Sequence, residues 1–278
     1  MHLFASFFYD NSIWLWSSIF VFIVLALVYI ILFLAHKFIK PSHELIEDNV
    51  ISIGFLQVIA TAYSVLLAFI AFNVLTVHQD ATQVVETEAN YISNIFRGVH
   101  ALPSAIAYPI QNNLIKYLDQ IINKEWPEQK IGIIPKADAK GWHALDSVGS
   151  ELYSSKVGAV NPVLQAEMLS QLDNLYNARR MRILAVSESL PTFMWGIIAL
   201  GGFIVIGFVA VLGSNNFKLK MIMATIMSIS LSLIIVLIIS LDRPFRGQLS
   251  MDKDSYINIQ HNIKFLLSKE NNQKNISS

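Results

Sequence analysis

Charge-free apolar stretches alternate with mixed ones along this chain. Residues 13–35, 50–77, 190–213 and 221–241 contain no Asp, Glu, Lys or Arg. At about 1.5 Å of rise per residue, each run as a helix exceeds a hydrocarbon core of roughly 30 Å. Buried helices of soluble proteins are rarely so long and uninterrupted, so the pattern predicts four transmembrane helices. The fold class expected is an all-α integral membrane protein with a helical extramembrane domain between the second and third spans. Residues 1–77 read as a first transmembrane hairpin, 78–189 as the helical extramembrane domain, 190–241 as a second hairpin, and 242–278 as a polar C-terminal segment. The segment before the first run holds Asp10 and no Lys or Arg. The run itself is longer than a signal-peptide core of roughly 7–15 residues, so it is expected to stay in the membrane.

The extramembrane segment has its own periodicity. Val84, Val85, Ile92, Ile95 and Phe96 recur at helical spacing, with Asp80, Glu86 and Glu88 assigned to other faces. No Gly or Pro interrupts residues 57–97, so the second span is predicted to continue into water as one helix, ended by Gly98 and Pro103. Ser104 is a candidate cap for a helix carrying Ile110, Leu114, Tyr117, Leu118, Ile121 and Ile122, which Pro127 is expected to stop. Residues 131–135 read as an apolar, extended connector. Residues 137–156 read as a weaker helix, interrupted by Gly141 and Gly149. Asn161-Pro162 is a helix start signal, Asn capping and Pro in the first turn. The helix that follows carries Leu164, Met168, Leu172, Leu175, Tyr176 and Ile183 and leads almost directly to Leu190-Pro191 and the third span. After Ser268 the composition is polar and predicts disorder.

Composition reinforces the membrane assignment. Hydrophobic residues make up 54% and charged residues 14%, against roughly 25% charged in a soluble domain. The net charge of zero gives no pull toward nucleic acid. The absence of cysteine excludes disulfides, iron–sulfur clusters and thiolate metal sites. No His-Glu-x-x-His, Walker A or Gly-x-Ser-x-Gly motif is present, so neither an enzyme nor a cofactor is expected. Histidines 2, 36, 43, 78, 100, 143 and 261 are scattered. His36 and His43 flank a short loop, but no third ligand stands at a fixed spacing, which favours solvated interfacial side chains over a metal pair. Gly201-Gly202 lies inside an apolar run and reads as close helix packing. With no ionisable residue in any of the four runs, a proton-coupled transporter is disfavoured.

Four spans put both termini and the middle domain on one side. The positive-inside vote is divided: Lys37, Lys40, Lys218 and Lys220 lie in the short loops, against Arg179, Arg180, Arg182, Arg243, Arg246 and Lys253 on the other side. The pooled count makes the middle domain and both termini cytoplasmic.

Two kinds of position are candidates for function. On the second span, Gln57, Thr61, Ser64, Ala68 and Leu75 share one helical face, with Phe72 beside them. This stripe suits a pore wall, polar near one mouth and narrow and apolar further on, but its residues alone suit a helix–helix interface of small, weakly polar residues better. Thr225, Ser228 and Ser232 make a similar stripe on the fourth span, better read as hydroxyls bonding back to their own helix. The other kind is a pair of polar junctions. Asp242 stands at a helix C-terminus, where the dipole disfavours an anion, and so needs a cation or backbone donors. Arg243 and Arg246 are local candidates; Arg179, Arg180 and Arg182, just before the third span, are candidates across the bundle. Those three arginines could equally bind lipid phosphates.

The pieces Tyr63-Ser64-Val65-Leu66-Leu67-Ala68-Phe69, Asp80-Ala81, Val85-Glu86, Glu88-Ala89, Leu102-Pro103, Glu125-Trp126-Pro127, Arg179-Arg180-x-Arg182-Ile183, Leu190-Pro191 with Trp195, and Leu241-Asp242-Arg243-Pro244-Phe245-Arg246-Gly247 together resemble the bestrophin-like family of bacterial membrane proteins. The resemblance implies a four-span fold whose second helices surround a central axis. Proper bestrophins are pentameric anion channels with an apolar neck on that helix. The acidic cluster that forms the calcium clasp of animal bestrophins has no counterpart here beyond Asp252 and Asp254, so calcium gating is not implied.

The function expected is an oligomeric, anion-conducting channel in a bacterial inner membrane. Its partners would be the lipid bilayer, inorganic anions and further copies of the chain, a pentamer by analogy. The alternative is a non-conducting scaffold or sensor that binds a partner through the amphipathic face of residues 78–97.

Overall fold

The computed structural model describes residues 12–38, 49–136, 139–212 and 216–277. His2, Lys40, His43 and Gly213 lie outside them. The described elements are helices: α1 (Ile13–Phe38), α2 (Asn49–Val99), α3 (Ser104–Gln120), a π-helical turn (Ile121–Glu125), α4 (Trp126–Lys130), α5 (Lys140–Leu152), α6 (Ser155–Val160), α7 (Pro162–Ala185), α8 (Thr192–Val211), α9 (Phe217–Leu241) and α10 (Asp254–Ser277). Four of them, α1, α2, α8 and α9, are long and apolar enough to cross a membrane. The chain folds as two compact units. One holds residues 1–78, 189–243 and 247–249; the other holds 79–188, 244–246 and 250–278.

In the first unit, α9 and α8 pack on α1 through Val28, Leu32, Ala210 and Ala224. Tyr29 and Thr225 share a hydroxyl–hydroxyl hydrogen bond of 2.8 Å. The membrane part of α2 buries Tyr63, Leu67, Ile70 and Val74, spaced four, three and four, in a cluster with Ile198, Val205 and Ile238. Large apolar side chains such as Phe22, Phe33 and Phe203 stay exposed, as suits helices whose solvent is hydrocarbon. The fourth-span hydroxyls behave as expected at two positions: Thr225 donates to Met221 O and Ser228 to Ala224 O. Lys220 Nζ donates to the Ala210 and Leu212 carbonyls at 2.6 and 2.7 Å, setting a cation on the C-terminal end of α8. His36 and Phe217 pack in a tilted arrangement, with ring centroids 4.5 Å apart.

The second span continues past Val77 without a break, since α2 is helical from Asn49 to Val99. Three local expectations are corrected. Ser104 is the first residue of α3 and Pro103 occupies the cap position, with no side-chain cap bond. Pro127 does not stop the helical path. The chain passes through the π turn into α4, where Pro127 lies in the first turn and its missing N–H costs no rung. The C-terminal segment is helical to Ser277 rather than disordered. Tyr256 and Ile263 are buried in the second unit's core, and packing of that face supplies the stability that the polar composition lacks. Asn161 caps α7 as expected, its Oδ1 accepting from Leu164 N at 3.0 Å.

The core of the second unit combines Val85, Ile92 and Phe96 of α2 with Ile110 and Leu114 of α3, Leu145 of α5 and Leu172 of α7. The helix face that might have docked a partner is therefore covered by the chain's own helices.

Candidate functional site

Two places in the molecule combine chemistry with defined geometry. The first is the outward face of α2. With Tyr63, Leu67, Ile70 and Val74 buried, Gln57, Thr61, Ser64, Ala68, Phe72 and Leu75 are all exposed. At ~100° per residue they stand about 100–180° around the helix from Tyr63. Exposure alone does not isolate the stripe. Phe69 and Asn73 are exposed too, about 240–280° around from Tyr63; Phe69 and Phe72 are 70% and 69% exposed. Ser64 Oγ donates to Ala60 O at 2.8 Å, so its oxygen, rather than its proton, is left facing outward.

The second is a closed cluster of charge inside the second unit. Arg182 Nε donates to Glu88 Oε2 at 2.6 Å, Nη2 to Glu125 Oε2 at 2.9 Å, and Nη1 to Gln129 Oε1 at 2.9 Å. Arg179 grips Glu125 with both terminal nitrogens, at 2.6 and 3.0 Å. Its guanidinium lies over the rings of Trp142 and Tyr117, 4.5 and 5.2 Å from their centroids. Tyr117 Oη donates to Glu88 Oε1, and Tyr256 Oη donates to Glu88 Oε2 at 2.8 Å. Two carboxylates thus balance two guanidiniums, and all four side chains are buried. The π turn aims Glu125 into the cluster. Gly141 leaves room for it, because a β-carbon there would collide with Glu125 Oε1 and the Arg179 guanidinium.

The electrostatics follow from that packing. Burial pushes the Glu125 carboxyl up, but Arg182 and Arg179 outweigh it and hold it below its ordinary value. Burial and the Glu88 charge push the Tyr117 and Tyr256 phenols well up, so both stay neutral donors. Burial opposes the charge on Arg182, but its carboxylate partners prevail and keep it firmly cationic. Every carboxylate oxygen of Glu88 and Glu125 receives a donor, while Gln129 Nε2 and Arg179 Nε are buried donors without a protein acceptor among the described residues.

These contacts correct two readings of the sequence. Glu88 is not on a polar face; it lies at the centre of the cluster. Arg179 and Arg182 are sealed from lipid phosphates, and only Arg180 of that trio is exposed. The sequence pattern alone points to none of Glu88, Glu125, Tyr117 and Tyr256 as partners of these arginines. A signal existed: Glu88 falls three residues after Val85 and four before Ile92, and Arg179 and Arg182 fall four and seven after Leu175, all in phase with apolar positions. At the other junction, Asp242 Oδ1 accepts from Leu190 N at 2.6 Å, the backbone donor that a carboxylate at a helix C-terminus needs. Arg243 and Arg246 are half-buried, and Gly247 turns the chain at φ 88°.

The four apolar spans and all-helical architecture define an integral membrane protein. A description of the Bestrophin-like domain matches residues 22–256. The chain belongs to the bestrophin-like family. Its fold is similar to crystal structures of a bacterial Bestrophin homolog from Klebsiella pneumoniae. One point variant of that homolog aligns with TM-score 0.68 and 12% identity, covering 87% of this chain and 97% of that one. A second variant gives 0.67 and 14% with the same coverage, and a structure solved by zinc phasing gives 0.63 and 12%. No curated protein matches the chain.

Proposed function

We propose that copies of this chain assemble around an axis lined by α2 and conduct anions through a bacterial inner membrane, as a pentamer with the middle domain and termini in the cytoplasm. The observation that carries the reading is the two-faced α2: one narrow stripe buried in its own subunit, the other face exposed along the whole apolar run. Membership of the bestrophin-like family supports a channel over a scaffold, and the amphipathic face that favoured a scaffold is packed inside the chain.

The mechanism is an apolar barrier. Gln57, Thr61 and Ser64 would hydrate one mouth, while Ala68, Phe72 and Leu75 would form a ring too narrow and apolar to hold a continuous water column until it widens. Residues 50–77 hold no charged side chain, so selection would rest on helix dipoles, weak donors and desolvation rather than fixed charge. Chloride flux from liposomes containing the purified chain tests the reading: flux that rises with protein and is absent from empty liposomes supports it, and no flux contradicts it.

A further inference from the structure

Tyr63 stands at the centre of the buried face of α2, and its phenol makes an unusual contact with α8. The hydroxyl donates to Ile198 O at 2.6 Å. Ile198 O and Gly202 N–H are the acceptor and donor of one helical rung, four residues apart. The Tyr63 hydroxyl therefore shares the acceptor of one rung of the third span.

The site is cut to fit. The ring lies on Gly201, where a β-carbon would collide with ring carbons Cδ2 and Cε2, and the hydroxyl lies 3.3 Å from where a Gly202 β-carbon would stand. Further along α2, the buried contacts are made by Leu67, Ile70 and Val74, whose apolar surfaces give no directional preference. Within hydrocarbon no water replaces a lost polar contact, so the phenol has reason to stay on its rung.

We propose that Tyr63 is the positioning residue of the conduction pathway, and that its hydroxyl in the Gly201-Gly202 notch sets the rotation of α2 about its own axis. This rests on the reading of α2 as the pore helix. Ser64, Ala68 and Phe72 stand about 100°, 140° and 180° around the helix from Tyr63, so turning the pore face requires Tyr63 to leave the notch.

The test uses the full chain in liposomes, where the lack of native cysteine leaves a clean background. Ala68→Cys and Asn73→Cys are each prepared with Tyr63 and with Tyr63→Phe, which keeps the ring and removes the hydroxyl. With Tyr63 in place, a small charged thiol reagent modifies residue 68 at least tenfold faster than residue 73. Tyr63→Phe shrinks that ratio severalfold and shifts the open–closed equilibrium by about fivefold, the weight of one hydrogen bond, with single-channel current unchanged. Gly201→Ala acts in the same direction by displacing the ring, and adding Tyr63→Phe to Gly201→Ala brings little further change, because both remove the same contact. If the wild type conducts and shows the ratio, but Tyr63→Phe preserves both ratio and gating, the positioning role is wrong and the pore stands. If the wild type shows neither current nor ratio, the pore reading fails and the positioning role falls with it.

Discussion

Arg182 Nε meets Glu88 Oε2 across 2.6 Å with both side chains fully buried, joining residues 94 apart in sequence. Glu88 is also the acceptor for Tyr256 of α10, so one carboxylate ties α2, α7 and the C-terminal helix together. Removing one partner of a buried pair leaves the other charge uncompensated, at a cost of about 3–5 kcal/mol. Glu88→Gln is therefore expected to lower the melting temperature in detergent far more than Glu86→Gln, on the exposed face of the same helix. Equal melting curves for the two variants would contradict the assignment.

Acid should weaken the same cluster. The folded pKa of Glu125 is held below its unfolded value, so its contribution to stability is complete above the unfolded value of about 4.3 and is lost as pH falls through the lower folded value. Glu125→Gln is expected to lower the melting temperature near neutrality and to flatten its fall between about pH 5 and pH 3. A variant curve parallel to wild type across that range would show that Glu125 is not the group responsible.

Gly141→Ala probes the close approach. An alanine methyl has no space beside Glu125 and Arg179, and overpacking of this kind typically costs about 1–3 kcal/mol. Gly196→Ala is the control, because a β-carbon there meets nothing within 4 Å. A greater loss at position 141, read by thermal unfolding, is the expected result.

Asp242→Ala removes the acceptor of the Leu190 amide just ahead of α8, leaving a buried N–H unpaired at about 1–3 kcal/mol. Asp242→Asn keeps an acceptor oxygen and should fall between alanine and wild type. Thermal unfolding of the three proteins checks the order.

The spans were legible because absence of charge over more than twenty residues has one good physical explanation. The unbroken α2 was legible for a related reason: no Gly or Pro interrupts it. Glu88 was misread because its type outweighed its phase. A carboxylate between Val85 and Ile92 can enter a core only if cations come with it, and those cations, Arg179 and Arg182, lie about ninety residues away on another helix. Pro127 was misread because proline breaks a helix only where its N–H and ring matter, and a π turn followed by a new first turn removes both objections. Gly201-Gly202 was visible as a helix-packing pair, but its meeting with Tyr63 depends on the register of two helices that no local pattern fixes. The proposed pore face was the least legible part, since the exposed arc of α2 takes its meaning only from the proposed assembly.

Phe72→Ala should widen the narrowest proposed ring, each subunit contributing one copy. Easier wetting of that ring is expected to raise single-channel conductance in planar bilayers. Unchanged conductance would move the constriction to another position on α2.

The most direct test of the central claim is block of anion current through Ser64→Cys or Ala68→Cys channels by a small charged thiol reagent. A pore lined by this face gives rapid block at both positions, reversed by a reducing agent, with much slower effects at Phe69→Cys and Asn73→Cys. Current that blocks equally fast at all four positions, or no anion current to block, would contradict a pore lined by this face of α2.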